Sequence, residues 1–158
     1  MDFLDIEITK KIYVKILIIL GILVVVYMAL TMSSLLVFKS YTLGPNTSVN
    51  DEGINMHIDL LKPGGMKLEI AGWAYKEEEP ITTVNSNYVL KHQETGKMYL
   101  MRTKMEENIN LENEDVKMAG LHARCLLIGI PKGKYDIYVL YQNGNEDILA
   151  NTLINVDI

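Results

Sequence analysis

The sequence predicts an all-β fold: a single antiparallel β-sandwich of about seven strands, preceded by one N-terminal transmembrane helix. Three observations carry this. Residues 16–38 form a run without a single charge, with Lys15 directly before it and Lys39 directly after. From residue 54 onward, apolar residues recur with a period of two, and turn residues punctuate them about every 8–12 positions. Nothing between those apolar stretches leaves room for the crossover helices that a parallel sheet needs.

The run at 16–38 spans about 34 Å as a helix, enough to cross a hydrocarbon core of about 30 Å. It is apolar all round, whereas a helix packed in a soluble core keeps a polar stripe. A membrane anchor helix is therefore expected over 15–39. Lys10, Lys11 and Lys15 precede it, against Lys39 alone after it, so the short stub 1–14 is expected on the cytoplasmic side and the C-terminal part outside. Tyr13 and Tyr41 lie near the two interfaces, where aromatic rings suit the headgroup region. A cleaved signal peptide is the rival reading. It normally has a shorter apolar region and a small-x-small site, and the candidates 29–31 and 31–33 fit that site poorly. Asp2 in place of glycine excludes myristoylation. Gly21 has no second glycine four positions away, so that helix-dimer motif is absent.

Residues 40–53 are polar and contain Gly44-Pro45, and they read as a linker. The extracytoplasmic β-sandwich domain is placed at 54–158. Ile54, Met56, Ile58 and Leu60 share one parity; Lys62-Pro63-Gly64-Gly65 turns the chain; Met66, Leu68 and Ile70 open the next strand, which runs through Tyr75. Residues 88–92 and 97–101 flank a four-residue loop ending in Gly96, a hairpin. A polar excursion, 106–117, has weak helical character. Leu121, Ala123, Cys125 and Leu127 alternate with His122 and Arg124. After the turn 131–134, Tyr135, Ile137, Val139 and Tyr141 form an inward set, with Tyr138 on the opposite parity, expected outward. Asn143-Gly144 is the strongest two-residue turn signal, and Ile148, Ala150, Thr152, Ile154 and Val156 follow on one parity.

The formal net charge is −5, with no basic cluster, so nucleic acid is not an expected partner. The single cysteine, Cys125, excludes an internal disulfide, and its apolar neighbours fit a small buried hydrophobe.

Two segments resemble a known type of module. One is Leu68-Glu69-Ile70-Ala71-Gly72-Trp73-Ala74-Tyr75. The other is Ala119-Gly120-Leu121-His122-Ala123, followed by Ile130-Pro131-Lys132-Gly133-Lys134-Tyr135-Asp136-Ile137-Tyr138-Val139. They resemble small immunoglobulin-like β-sandwich modules of Gram-positive bacterial cell-surface and polysaccharide-assembly proteins, with a Gly-Trp-Ala strand and a Pro-x-Gly-x-Tyr turn. The match departs from the pattern at Leu121, where Phe is usual, and at Asn113, where an Arg-x-Asp-Val loop has Arg. The resemblance implies a cell-envelope setting and no particular chemistry.

His57, His92 and His122 lie in or at the ends of expected strands, and no nucleophile elbow accompanies them. There is no zinc spacing. The acids of 77–79 and 106–115 read as solvated loops. The alternation Asn108, Asn110, Glu112, Glu114 lacks the glycine and closing glutamate of a calcium loop. No catalytic residue, cofactor or metal is expected. Trp73 has two readings. A β-bulge at Ala71-Gly72 would flip the parity and send Trp73 into the core. Without it, Trp73 and Tyr75 form an exposed aromatic platform suited to sugar rings, and these two are the candidate ligand-binding residues. The expected function is a non-enzymatic, membrane-anchored interaction domain at the cell envelope, with an envelope protein as partner. The alternative is a membrane-tethered carbohydrate-binding module that recognises surface glycans.

Overall fold

A computed structural model describes residues 3–36, 38–50, 53–77, 84–107, 118–143 and 146–158. The chain divides into two compact units, an N-terminal helix and a β-rich unit that begins at Leu36.

The helix, α1, covers Phe3–Leu36 and so includes most of the expected cytoplasmic stub. Its segment Lys10–Thr31 is long and apolar enough to cross a membrane. Its described apolar side chains from Ile12 to Leu30 all stand 47–69% exposed, on every side of the helix.

The second unit is built from ten described strands in two sheets, rather than seven. These are β1 (Lys39–Tyr41), β2 (Thr47–Ser48), β3 (Ile54–Gly64), β4 (Lys67–Lys76), β5 (Val84–His92), β6 (Met98–Leu100), β7 (Thr103–Glu106), β8 (Gly120–Leu126), β9 (Lys134–Asn143) and β10 (Glu146–Asp157). One sheet has the order β1-β6-β5-β9-β10-β2 and the other β3-β4-β8-β7. The larger sheet is mixed: β2 runs parallel to β10, while its other neighbours are antiparallel. The three added strands are short. Two of them, β1 and β2, lie in the stretch read as a linker, where polar composition hides backbone pairing. Phe38, the last residue of the uncharged run, is buried in the β core.

One hydrophobic cluster takes side chains from both sheets. Leu68, Ile70 and Ala74 of β4 and Leu121, Ala123 and Cys125 of β8 join Tyr88, Leu90, Tyr135, Ile137, Val139, Tyr141, Ile148, Ala150 and Val156. The parity expected for β8, β9 and β10 holds. In β10 the pairing with β9 jumps from Asn151↔Tyr138 to Asn155↔Asp136, two extra residues, so Val156 still faces inward. In β3 a single extra residue, Asp59, does flip the parity: Ile58 pairs with Gly72 and Leu60 with Ala71. Leu61 therefore packs on the core in place of Leu60. Met66 lies in the β3–β4 turn and is exposed. Tyr138 points away from the main core as expected, yet it is only 8% exposed, because the outer face of the larger sheet carries a second apolar cluster of Val89, Tyr138, Leu140 and Leu149. The turn residues 144–145 and the excursion 108–117 lie outside the described residues, and with them the calcium-loop and Asn113 readings.

Two side chains tie the loops at one end of the larger sheet. The Tyr135 hydroxyl donates to the Pro131 carbonyl at 2.6 Å, closing the 131–134 turn. Beside it His92 is buried, its ring edge-on to Tyr135 at 4.8 Å. His92 Nδ1 accepts from the backbone N–H groups of Glu94 and Thr95, at 3.2 and 3.3 Å. The proton of the neutral ring is then on Nε2, which donates to the Lys132 carbonyl at 3.3 Å. His92→Ala leaves three backbone groups without this partner, and we expect a loss of about 2–4 kcal/mol in a urea titration.

Cys125 is buried with Sγ 3.7 Å from the Leu68 carbonyl, and burial pushes its thiol pKa up to about 12. The thiolate is the reactive form, so Cys125 is expected to react with a disulfide reagent only after unfolding. A stoichiometric burst of labelling in the folded chain would contradict this.

Candidate binding face

Alternation along β4 assigns its two faces. Leu68, Ile70, Gly72 and Ala74 point into the core and are buried, while Lys67, Glu69, Ala71, Trp73 and Tyr75 occupy the other side. Trp73 and Tyr75 are therefore half-buried on the outer face, and the reading that sends Trp73 into the core does not hold. The glycine does mark a bulge, but the extra residue sits across the ladder, at Asp59 of β3. The bulged strand presses so close that a Cβ on Gly72 would lie 2.0 Å from the His57 carbonyl oxygen.

Register places the outer side chains in rows. His57 of β3 faces Trp73 of β4, Trp73 faces Gly120 of β8, and Gly120 faces Glu106 of β7. The Trp73 and Tyr75 rings stack, with centroids 5.5 Å apart and planes inclined by 29°. The His57 ring lies 6.1 Å from Trp73 on the other side. Three rings thus form a continuous aromatic strip. Gly120, which faces Trp73 across the ladder, contributes no side chain, and Ala71 only a methyl. A groove of about 170 Å³ lies nearby, lined by Asp59, Ala71, Gly72, Glu106, Glu107, Gly120 and Leu121, with neither Trp73 nor Tyr75 in its lining.

The next row holds His122, half-buried between two carboxylates. Its Nε2 is 3.1 Å from Glu69 Oε1, and its Nδ1 is 3.7 Å from Glu106 Oε1. The bond from His122 holds the Glu69 carboxyl below the usual carboxylate range. Lys104 Nζ stands 3.9 Å from Glu106 Oε2 and His57 Nε2 3.9 Å from Asp59 Oδ1. Both ring nitrogens of His122 face carboxylates, and Cys125, the only thiol, points to the opposite side of β8. The imidazole is held in place without a nucleophile from its own strand. Among the described residues, no group of three or more His, Cys, Asp and Glu side chains is placed to hold a metal ion.

Sequence reasoning identified Trp73 and Tyr75 but missed His57, Asp59, Glu106 and Gly120 as their neighbours. Cross-strand register joins these four to the strip, and register depends on the bulge at Asp59, which alternation alone does not show. The chain was compared with protein-family models, curated proteins and solved structures, and none of them matches it.

Proposed function

We infer that the chain is a single-span membrane protein whose β unit stands outside the cytoplasm, at the cell envelope, and works by binding rather than catalysis. We read its two sheets as a sandwich of the immunoglobulin-like type. The bond from Tyr135 to Pro131 supports this, since it reproduces a corner common in such folds. Membrane anchoring rests on the Lys10–Thr31 segment, and orientation on the three lysines before the run against one after it.

The observation that carries the binding reading is the outer aromatic strip. Two stacked rings stand partly open on the solvent side of the sheet, and an aromatic surface of this kind supports a ligand reading. An envelope protein is one class of partner. The flat Trp73–Tyr75 surface beside a groove lined with hydrogen-bond acceptors favours the other, a surface glycan. An aromatic plane takes the apolar face of a sugar ring, and carboxylates accept from its hydroxyls.

Two experiments test this. Protein in intact cells should resist carbonate extraction and be cut by externally added protease. Recovery of a shortened soluble form would show a cleaved signal instead. The full chain in nanodiscs, applied to a glycan array, should retain at least one glycan and lose it in Trp73→Ala/Tyr75→Ala. An empty array, or equal retention by the variant, would reject the glycan reading.

A further inference from the structure

A second groove, of about 390 Å³, lies where β1 parts from β6, with residues 40–43 along one side and 96–99 along the other. The two strands pair from Lys39↔Leu100 to Tyr41↔Met98. Thr42 and Leu43 then leave the ladder for the turn closed by the Thr47 N–H on the Gly44 carbonyl, at 3.1 Å. That divergence opens the groove.

Its lining combines one charge with apolar and hydroxyl groups. Lys97 is its only charged member; Tyr41, Leu43 and Met98 supply apolar surface, and Ser40 and Thr42 add hydroxyls. Lys97 and Lys39, the residue just before the lining, are both exposed, and among the described residues no carboxylate pairs with either. The nearby acids do not reverse this. Asp136 accepts from Gln93 Nε2 at 2.6 Å, and Glu94 lies outside the lining.

Connectivity bounds the distance from this groove to a bilayer. The helix α1 ends at Leu36, and Phe38, two residues on, is already buried in the β core. Lys39 is the first charge after the uncharged run and belongs to the headgroup layer. A chain extends at most about 3.6 Å per residue, so residues 40–43 lie within roughly 14 Å of Lys39, however the β unit is turned.

We propose that this groove takes the headgroup of an anionic membrane lipid, its phosphate on the Lys97 ammonium and its glycerol against Tyr41 and Leu43. The inference rests on the membrane-anchor reading and adds a ligand to it. Charge complementarity selects the class. A phosphate is attracted by an unpaired ammonium, whereas a zwitterionic headgroup brings an ammonium of its own toward Lys97. A soluble polyol phosphate offers the same chemistry. The lipid is favoured because the span holds the groove beside the bilayer, which raises the effective concentration of headgroups there.

The test is native mass spectrometry of the full chain in uncharged detergent, titrated with phosphatidylglycerol, phosphatidylcholine or glycerol phosphate. Phosphatidylglycerol should be retained at least about tenfold more tightly than phosphatidylcholine, and glycerol phosphate should not be retained. One lysine at a bilayer surface corresponds to about a fivefold change, so Lys97→Gln should lower the preference by that factor while leaving the urea midpoint in place. Lys67→Gln removes an exposed lysine at the start of β4 and should leave the preference intact. Equal retention of the two lipids, or an unchanged preference in Lys97→Gln, overturns the inference. An equal loss in Lys67→Gln overturns it as well, because net charge alone is then read. Glycerol phosphate held as tightly as the lipid does the same, since the ligand is then soluble. Carbonate extraction judges the anchor separately. A chain that resists extraction but shows no lipid preference loses the headgroup inference alone; a chain released by carbonate loses both.

Discussion

Tyr135→Ala is expected to lower the stability of the β unit by about 3–5 kcal/mol in a urea titration of the full chain. Its ring is 0% exposed and sits between the sheets, touching His92 edge-on at 4.8 Å and Tyr99 at 6.1 Å. Truncation leaves a cavity that β9, paired on both sides, cannot close. Tyr135→Phe isolates the hydroxyl. It keeps the ring and removes the 2.6 Å bond to the Pro131 carbonyl, for about 1–3 kcal/mol. Burial raises the phenol pKa to about 12, so the hydroxyl stays a donor throughout the physiological range. Tyr138→Ala is also expected to be destabilising, because that ring is covered in the second cluster, but less so than Tyr135→Ala. The reverse order would contradict the assignment of Tyr135 to the main core.

Gly72→Ala is expected to cost at least as much, about 4 kcal/mol or more. The new Cβ would lie 2.0 Å from the His57 carbonyl oxygen and 3.0 Å from both the carbonyl carbon of His57 and Cα of Ile58. These are backbone atoms, so no rotamer change relieves the overlap. The β3–β4 ladder must open at the bulge, and His57 and Asp59 move with it. Gly64→Ala is the control. Its nearest backbone neighbour is 3.9 Å away, and a change within about 0.5–1 kcal/mol is expected. Near-equal effects of the two substitutions would mean that β3 does not press on Gly72.

Alternation made β4, β8, β9 and β10 legible, because each sets its core residues at every second position, and the hairpin loop ending in Gly96 marked the end of β5. It was blind where the backbone, not the side chain, decides. β1 and β2 are three and two residues long, too short to show a period, and they sit in polar sequence. The single inserted residue at Asp59 moved Leu61 inward and Leu60 outward without any mark in β3 itself. Its only trace was a glycine on the neighbouring strand. The same signal, attributed to β4, left the side of Trp73 undecided. Tyr138 shows the converse limit. Parity assigned its face correctly, but parity does not say whether the outer face of a sheet is covered. For the candidate site, Trp73 and Tyr75 were legible as one strand's aromatic pair. The groove beside them was not, since it joins residues from four strands whose register is a property of the fold.

Trp73 is the only tryptophan in the chain, so its fluorescence reports on the proposed surface alone. Acrylamide quenching of the full chain in nanodiscs tests most directly whether the outer face of the four-stranded sheet is open to a ligand. The half-buried indole on the strip should be reached by acrylamide in the folded state, with a rate between those of a core indole and the urea-unfolded chain, and a glycan retained on the array should slow the quenching. An indole already shielded in the folded chain, with far blue-shifted emission and no response to sugar, would place Trp73 in the core and contradict the binding face.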